Sequence, residues 1–190
     1  MKRWMILGGL FCLFCGLASA NVIPTFVSVT GSGPFTYTYS AELNPDQNLV
    51  MGDQFCFADV AGLTGTPTGP TADWSASNRL SSACPINAGT TVPNVGPSVL
   101  YTYNSATTID GPSSLGTFTF QSTIGTTTPD DIGFGATAVK NSGPSAGSAT
   151  ANQGNITGPT SVVPEPEWSA MLLGLGLLAF AGIRRKFPVL

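Results

Sequence analysis

Phe35-Thr36-Tyr37-Thr38-Tyr39-Ser40-Ala41-Glu42-Leu43 decides the fold of this 190-residue chain. Phe35, Tyr37, Tyr39, Ala41 and Leu43 fall on one side of an extended backbone, and Thr36, Thr38, Ser40 and Glu42 fall on the other. A helix would scatter both sets around its axis, so the pattern is that of a strand with one buried face and one wet face. Asn44-Pro45-Asp46 ends the strand, because proline has no N–H for the ladder and Asn and Asp favour turns. Just upstream, Phe26 to Thr30 is a second extended run, joined to the first by the turn cluster Gly31-Ser32-Gly33-Pro34.

Outward from this hairpin the same chemistry recurs. Gln54 to Val60, Val99 to Tyr103, Leu115 to Ile124 and Ile132 to Lys140 are strand candidates. Asp110-Gly111-Pro112 and Thr128-Pro129-Asp130-Asp131 are turn signals. No stretch between the two ends of the chain sustains an apolar period of 3.6. Residues 21–140 are therefore expected to form an all-β domain, an antiparallel β-sandwich of Ig-like layout. Gly62 to Ala72 and Pro85 to Pro97 are expected as long Pro/Gly/Thr loops. Residues 141–163 turn to Gly, Ser, Ala, Asn, Thr and Pro and are expected to be a linker, or to give a last edge strand over Ile156 to Val163. As a flexible coil, that linker would span about 25 to 30 Å.

The chain has no histidine and a formal net charge of −3. Between residues 21 and 163 its only cations are Arg79 and Lys140, set against eight acids from Glu42 to Asp131. An acidic region of this kind has no electrostatic footprint for nucleic acid. Cys56 and Cys84 stand alone in it. In an oxidising compartment they read as one disulfide, closing a loop for roughly 3.5 kcal/mol of chain-entropy stabilisation. The alternative is two buried free thiols. A zinc site lacks its histidines and its second cysteine pair.

Both ends of the chain carry membrane signals. Lys2-Arg3, an apolar run from Trp4 to Leu17 and the small residues Ala18 and Ala20 around Ser19 make residues 1–20 a secretory signal peptide, cleaved before Asn21. Phe11 and Phe14 occupy positions where a lipidation site at Cys12 or Cys15 needs small residues. At the other end, Pro164-Glu165-Pro166 precedes an apolar run from Trp168 to Ile183, and Arg184-Arg185-Lys186 follows it. At about 1.5 Å per residue this run spans about 24 Å, somewhat less than the ~30 Å hydrocarbon core, so flanking side chains must snorkel or the bilayer must thin. Trp168 suits the outer interface, and the three cations mark the cytoplasmic side.

This order of box, short helix and basic cluster over residues 164–190 resembles the PEP-CTERM sorting signal of bacterial exported proteins, a tail also labelled an ice-binding-protein C-terminal domain. The resemblance implies an exported protein anchored transiently in the inner membrane and processed by an exosortase-type sorting protease. It also implies a final place at the cell surface or in the extracellular matrix, in organisms that commonly make exopolysaccharide. In it, Pro164, Glu165 and Pro166 are the sorting motif and Arg184, Arg185 and Lys186 are the membrane stop. This chain adds Glu167 before the helix and Phe187-Pro188-Val189-Leu190 after the basic cluster.

No catalytic constellation and no cofactor motif emerges. Without histidine the commonest general base is absent, and no Ser or Cys has an activating partner in the sequence. Asp130-Asp131 reads as a turn behind Thr-Pro rather than as a carboxylate pair, since neighbours on a strand point to opposite faces. Asn44 to Asn48 imitates the start of an EF-hand loop, but Leu49 replaces the glycine and Phe55 the bidentate glutamate. Asn155-Ile156-Thr157 matches a glycosylation acceptor, which carries little weight beside a bacterial tail. Trp74, Tyr101 and Tyr103 are read as core in preference to a platform for sugar rings. Thr36-Tyr37-Thr38 and Thr117-Phe118-Thr119 resemble the Thr-x-Thr ranks of ice-binding surfaces, but two pairs do not make a registered face. The function expected is a sorted, non-enzymatic surface protein, with a glycan- or ice-binding module and an uncleaved single-pass anchored protein as alternatives.

Overall fold

The computed structural model describes residues 21–86 and 94–160. In chain order its strands are β1 (Val22–Thr30), β2 (Phe35–Leu43), β3 (Gln47–Leu49), β4 (Gln54–Ala58), β5 (Leu63–Thr68), β6 (Trp74–Arg79), β7 (Ser98–Tyr103), β8 (Ile109–Asp110), β9 (Ser113–Ser122), β10 (Thr127–Lys140) and β11 (Ala149–Pro159). The described chain is all-β and every pairing in it is antiparallel. The expected signal peptide, Ala18 and Ala20 included, lies outside the described residues, as do Pro164 to Pro166, the Trp168–Ile183 run and Arg184 to Lys186.

The alternation in β2 builds the smaller sheet, ordered β1-β2-β9-β5. Tyr37, Tyr39, Ala41 and Leu43 are buried, and across β9 they meet the inward Phe118 and Phe120. The larger sheet runs β6-β7-β4-β10, with β11 beyond β10. Short strands β3 and β8 continue the β4 flank, because the same residues of β10 already pair β11 on the other side. The two sheets pack face to face through one layer of aromatic rings. Tyr39 meets Phe57 at 4.3 Å between centroids, Tyr37 stacks on Phe120 at 5.3 Å, and Trp74 stands edge-on to Phe118 at 4.9 Å. Each such ring contributes about 1.5 to 3 kcal/mol by burial, and each pair roughly 0.5 to 1.5 kcal/mol more.

Three expected features take a different form. The Thr128 to Asp131 turn is absorbed into β10 as an irregularity: the register with β11 breaks between Thr128 and Ile132, and Asp130 takes the left-handed φ of 57°. Pro129 cannot donate to a ladder, so the strand bulges there rather than reversing. The 62–72 segment holds β5, and β6 follows it without having been expected, because Ser75, Ala76, Ser77 and Asn78 give no large-residue alternation to read. Most consequentially, the segment expected as a linker over 141–163 holds strand β11 at Ala149–Pro159, which is longer than the edge strand offered as the alternative and starts earlier. Its small residues lie where the neighbouring strand's side chains need room. A Cβ on Gly154 would come within 2.6 Å of the Phe134 ring, and one on Gly158 within 2.6 Å of Ile132.

The sheets also meet at both edges through asparagine. Asn152 of β11 accepts from the Val22 N–H at 3.4 Å and donates to the Val22 carbonyl at 2.9 Å, while Asn78 of β6 donates to the Thr64 and Gly65 carbonyls of β5. Edge strands β1 and β5, which would otherwise offer unpaired backbone to another chain, are thus partly occupied.

Cys56 and Cys84 form the expected disulfide, with Cα atoms 6.0 Å apart. It sits on the outer face of the larger sheet, where Cys56, Ala58, Cys84 and Ile86 form a second small core against Leu100. Asn94 fastens the covering segment by accepting from the Cys84 N–H and donating to the Cys84 and Ile86 carbonyls. Replacing both cysteines by alanine, which avoids leaving a free thiol, should cost about 2 to 5 kcal/mol, checked by urea denaturation of the exported domain.

Candidate functional site

The residues weighed as a sugar platform are part of the interior. Trp74 is 7% exposed, Tyr101 0% and Tyr103 2%. Their polar ends are used inside the domain as well: the Tyr101 hydroxyl donates to the Thr119 carbonyl at 2.8 Å, from one sheet to the other, and Tyr103 donates to Thr107 at 2.6 Å. No flat aromatic face is left for a pyranose at these positions.

The acids drawn into the fold have structural partners. Asp53 accepts from the Val50 N–H and the Thr137 hydroxyl, and Asp59 accepts from the Gly96 N–H at 2.5 Å. Asp46 pairs with Lys140 at 3.0 Å, a partly exposed contact worth at most about 1 kcal/mol. The Asn44 to Asn48 corner is held by Asn141, which donates to the Pro45 and Gln47 carbonyls and to the Asn48 side chain. Among the described residues no three His, Cys, Asp or Glu side chains converge as metal ligands. A small open depression of about 190 Å³, lined by Glu42, Leu43, Pro112, Ser113 and Ser114, holds one carboxylate and no neighbouring base.

Sequence reasoning saw only fragments of the outer face of the smaller sheet. Register aligns Thr30, Thr36, Gln121 and Thr64 in one rank across all four strands, and Ser28, Thr38, Thr119 and Thr68 in the next. Thr25, Ser40 and Thr117 form a third. Thr68 and Thr119 share a hydrogen bond of 2.6 Å between their hydroxyls. The Thr-x-Thr pairs in the sequence were the signal, but only strand register shows that they line up.

The last described residue is held at a fixed point. Tyr37 donates to the Ile124 and Thr126 carbonyls at 3.0 and 3.1 Å. Thr126 in turn accepts from the Thr160 N–H at 3.2 Å and donates through its hydroxyl to the Thr160 carbonyl at 2.8 Å. Thr160 is therefore tied to the sandwich only a few residues before Pro164. No family model matches the chain, and no curated protein matches it.

Two predictions follow from the buried rings. Trp74→Ala should lower stability by roughly 3 to 5 kcal/mol, as loss of a packed indole does, and should not weaken retention on polysaccharide once the loss of folded protein is allowed for. The second concerns alkaline pH. Burial raises the pKa of Tyr39 and Tyr101 well above the ordinary tyrosine value, and neighbouring Tyr37 and Tyr101 add to the shift at Tyr39. The unfolded chain releases these protons near pH 10 while the folded chain keeps them. Stability present below about pH 10 should then fall above it by up to about 2.7 kcal/mol per pH unit for the two rings. Tyr39→Phe should roughly halve that slope in urea titrations at increasing pH, while losing stability at neutral pH because the Thr157 carbonyl is left without its donor.

Proposed function

We propose that the chain is an exported bacterial surface protein, delivered by a signal peptide over residues 1–20 and sorted through a PEP-CTERM signal over 164–190. The observation that carries this reading is the order of Pro164-Glu165-Pro166, the apolar run and Arg184-Arg185-Lys186 at the end of a charge-poor chain. The buried disulfide and the all-β domain, which we read as an Ig-like layout, fit an oxidising extracellular setting. The apolar run halts translocation because moving three cations through hydrocarbon is costly, which leaves the box on the outer side. Pro164 and Pro166 fix their own φ and disfavour helix at Val163 and Glu165, so the box is biased toward the extended form a protease cleft binds. An exosortase-type protease then removes the anchor, and the domain joins the surface or the exopolysaccharide matrix. The domain acts as cargo and needs no catalysis of its own.

A second reading, a glycan- or ice-binding module, draws on the hydroxyl ranks of the smaller sheet. Bulges between Phe26 and Ser28 and between Ala41 and Glu42, with the ordinary right-handed twist, take that face out of plane. A flat ice lattice fits it poorly, so a glycan is the ligand this reading retains. A third, an uncleaved single-pass protein, shares the anchor and drops the protease.

Changing Pro164-Glu165-Pro166 to alanines in a host that carries the sorting protease should leave membrane insertion intact and abolish release of the domain, followed by fractionation and mass of the released form. Release at the unaltered rate would reduce the box to a spacer.

A further inference from the structure

We infer that the end of the sandwich carrying Thr160 is a docking surface for the membrane-embedded protease that takes the Pro164 to Pro166 segment into its cleft. This rests on the sorting reading above and adds to it a part for the folded domain. Because β11 runs to Pro159 and Thr160 is still bonded to Thr126, only Ser161, Val162 and Val163 separate the described fold from the box. Fully extended, the chain from Thr160 to Pro164 reaches at most about 14 Å. A protein body of even small-domain size is about 30 Å across. A protease cannot hold the box without meeting the end of the domain.

Slack is not readily drawn from β11. Its last turnings are tied by the Thr160 to Thr126 pair of bonds, by the Tyr39 hydroxyl on the Thr157 carbonyl at 2.9 Å, and by Ile156, which is 7% exposed in the core. Peeling the strand would leave the Tyr39 hydroxyl buried without an acceptor. Contact therefore replaces extension. The surface that results is formed by the Gly31 to Pro34 turn and the β9–β10 connection, which lie together because Phe35 packs against Gly125 and Tyr37 bonds to Ile124 and Thr126. Ser32, Pro34, Thr123, Thr126, Thr127 and Thr128 are exposed there and uncharged, and exposed Asp130 follows two residues beyond Thr128 in the β10 bulge. The uncharged patch can be pressed against a membrane protein without stripping water from an ion, provided Asp130 stays at its rim.

The test uses the full-length precursor in membranes containing the sorting protease. A photo-crosslinking probe at Ser32 should capture the protease, and one at Ser145, in the connection at the opposite end of β10 and β11, should not. Ser32→Arg and Thr128→Arg should slow processing roughly tenfold, equivalent to about 1.4 kcal/mol of lost transition-state stabilisation, with unchanged melting temperatures. Inserting about ten Gly and Ser residues between Val163 and Pro164, roughly 17 Å of coil, should restore the rate of the arginine variants. Arginine variants processed at the unaltered rate, or crosslinking equal at both positions, would overturn the docking surface while leaving sorting intact. A precursor that inserts but is never processed, with or without the spacer, would overturn the sorting reading and the docking surface together.

Discussion

A tyrosine hydroxyl buried between two sheets must find an acceptor, and much of this structure depends on where the one on Tyr39 finds it. The ring is fully buried, packed on Phe57 and Phe120, so water cannot serve. The acceptor is the carbonyl of Thr157 in β11, a residue left outside the β10–β11 register by the bulge at Pro129 to Asp131. One proline thus interrupts a ladder, the interruption frees a carbonyl, and the carbonyl satisfies the centre of the opposing sheet. Without β11 in place the aromatic layer would carry an unsatisfied donor at a cost of about 1 to 3 kcal/mol. A strand made mostly of small and polar residues is for that reason integral to the core.

The same economy of polar groups closes the sandwich. Tyr101 reaches across to Thr119 in the opposite direction, from the larger sheet to the smaller, so the sheets are tied both ways through the aromatic layer. Asn152 and Asn78 do at the two edges what the tyrosines do inside, offering side-chain amides to backbone that has no strand partner. Thr150 belongs to this set, donating among the buried Asn21 and Gln47 side chains and the Ala138 carbonyl. A domain whose only cations are Arg79 and Lys140 has little capacity for ion pairs, and neutral hydrogen bonds take their place.

What was legible in the sequence was whatever alternated with large side chains. Phe35 to Leu43 announces its face because five apolar and four polar residues keep step, and β4, β7 and β9 follow in kind. The cysteine pair was legible from isolation alone. Strand β11 was not, because Gly154 and Gly158 leave space that Phe134 and Ile132 fill, and such glycines read locally as flexibility. Strand β6 hid for a related reason: its inward side rests on Trp74, Ala76 and Asn78, and only the tryptophan looks like core. The hydroxyl face lay between these cases, visible as two Thr-x-Thr fragments but assembled only by a register that no single strand encodes. The proposed sorting segment is the reverse: it is read from residue order alone and lies outside the described residues.

Strand direction settles where the described chain begins and ends on the sandwich. Val22 pairs Leu43 at one end of the smaller sheet and Thr30 pairs Thr36 near the other, about 20 to 27 Å away along β2. Asn21 enters at the Leu43 end, where its carbonyl accepts from the Asn44 N–H. Thr160, the last described residue, lies at the Thr36 end, beside the acceptors of Tyr37. The two proposed membrane signals are thus attached at opposite ends of a rigid body, and neither attachment has a long tether on the folded side. With the signal peptide still in the bilayer, the domain would have to lie along the surface to satisfy both. On the proposed reading, cleavage before Asn21 would leave a single attachment, and the domain could then stand on its Thr160 end with the β10–β11 connection farthest from the lipid. In that posture the hydroxyl ranks of the smaller sheet would run along the side of the molecule rather than at its base.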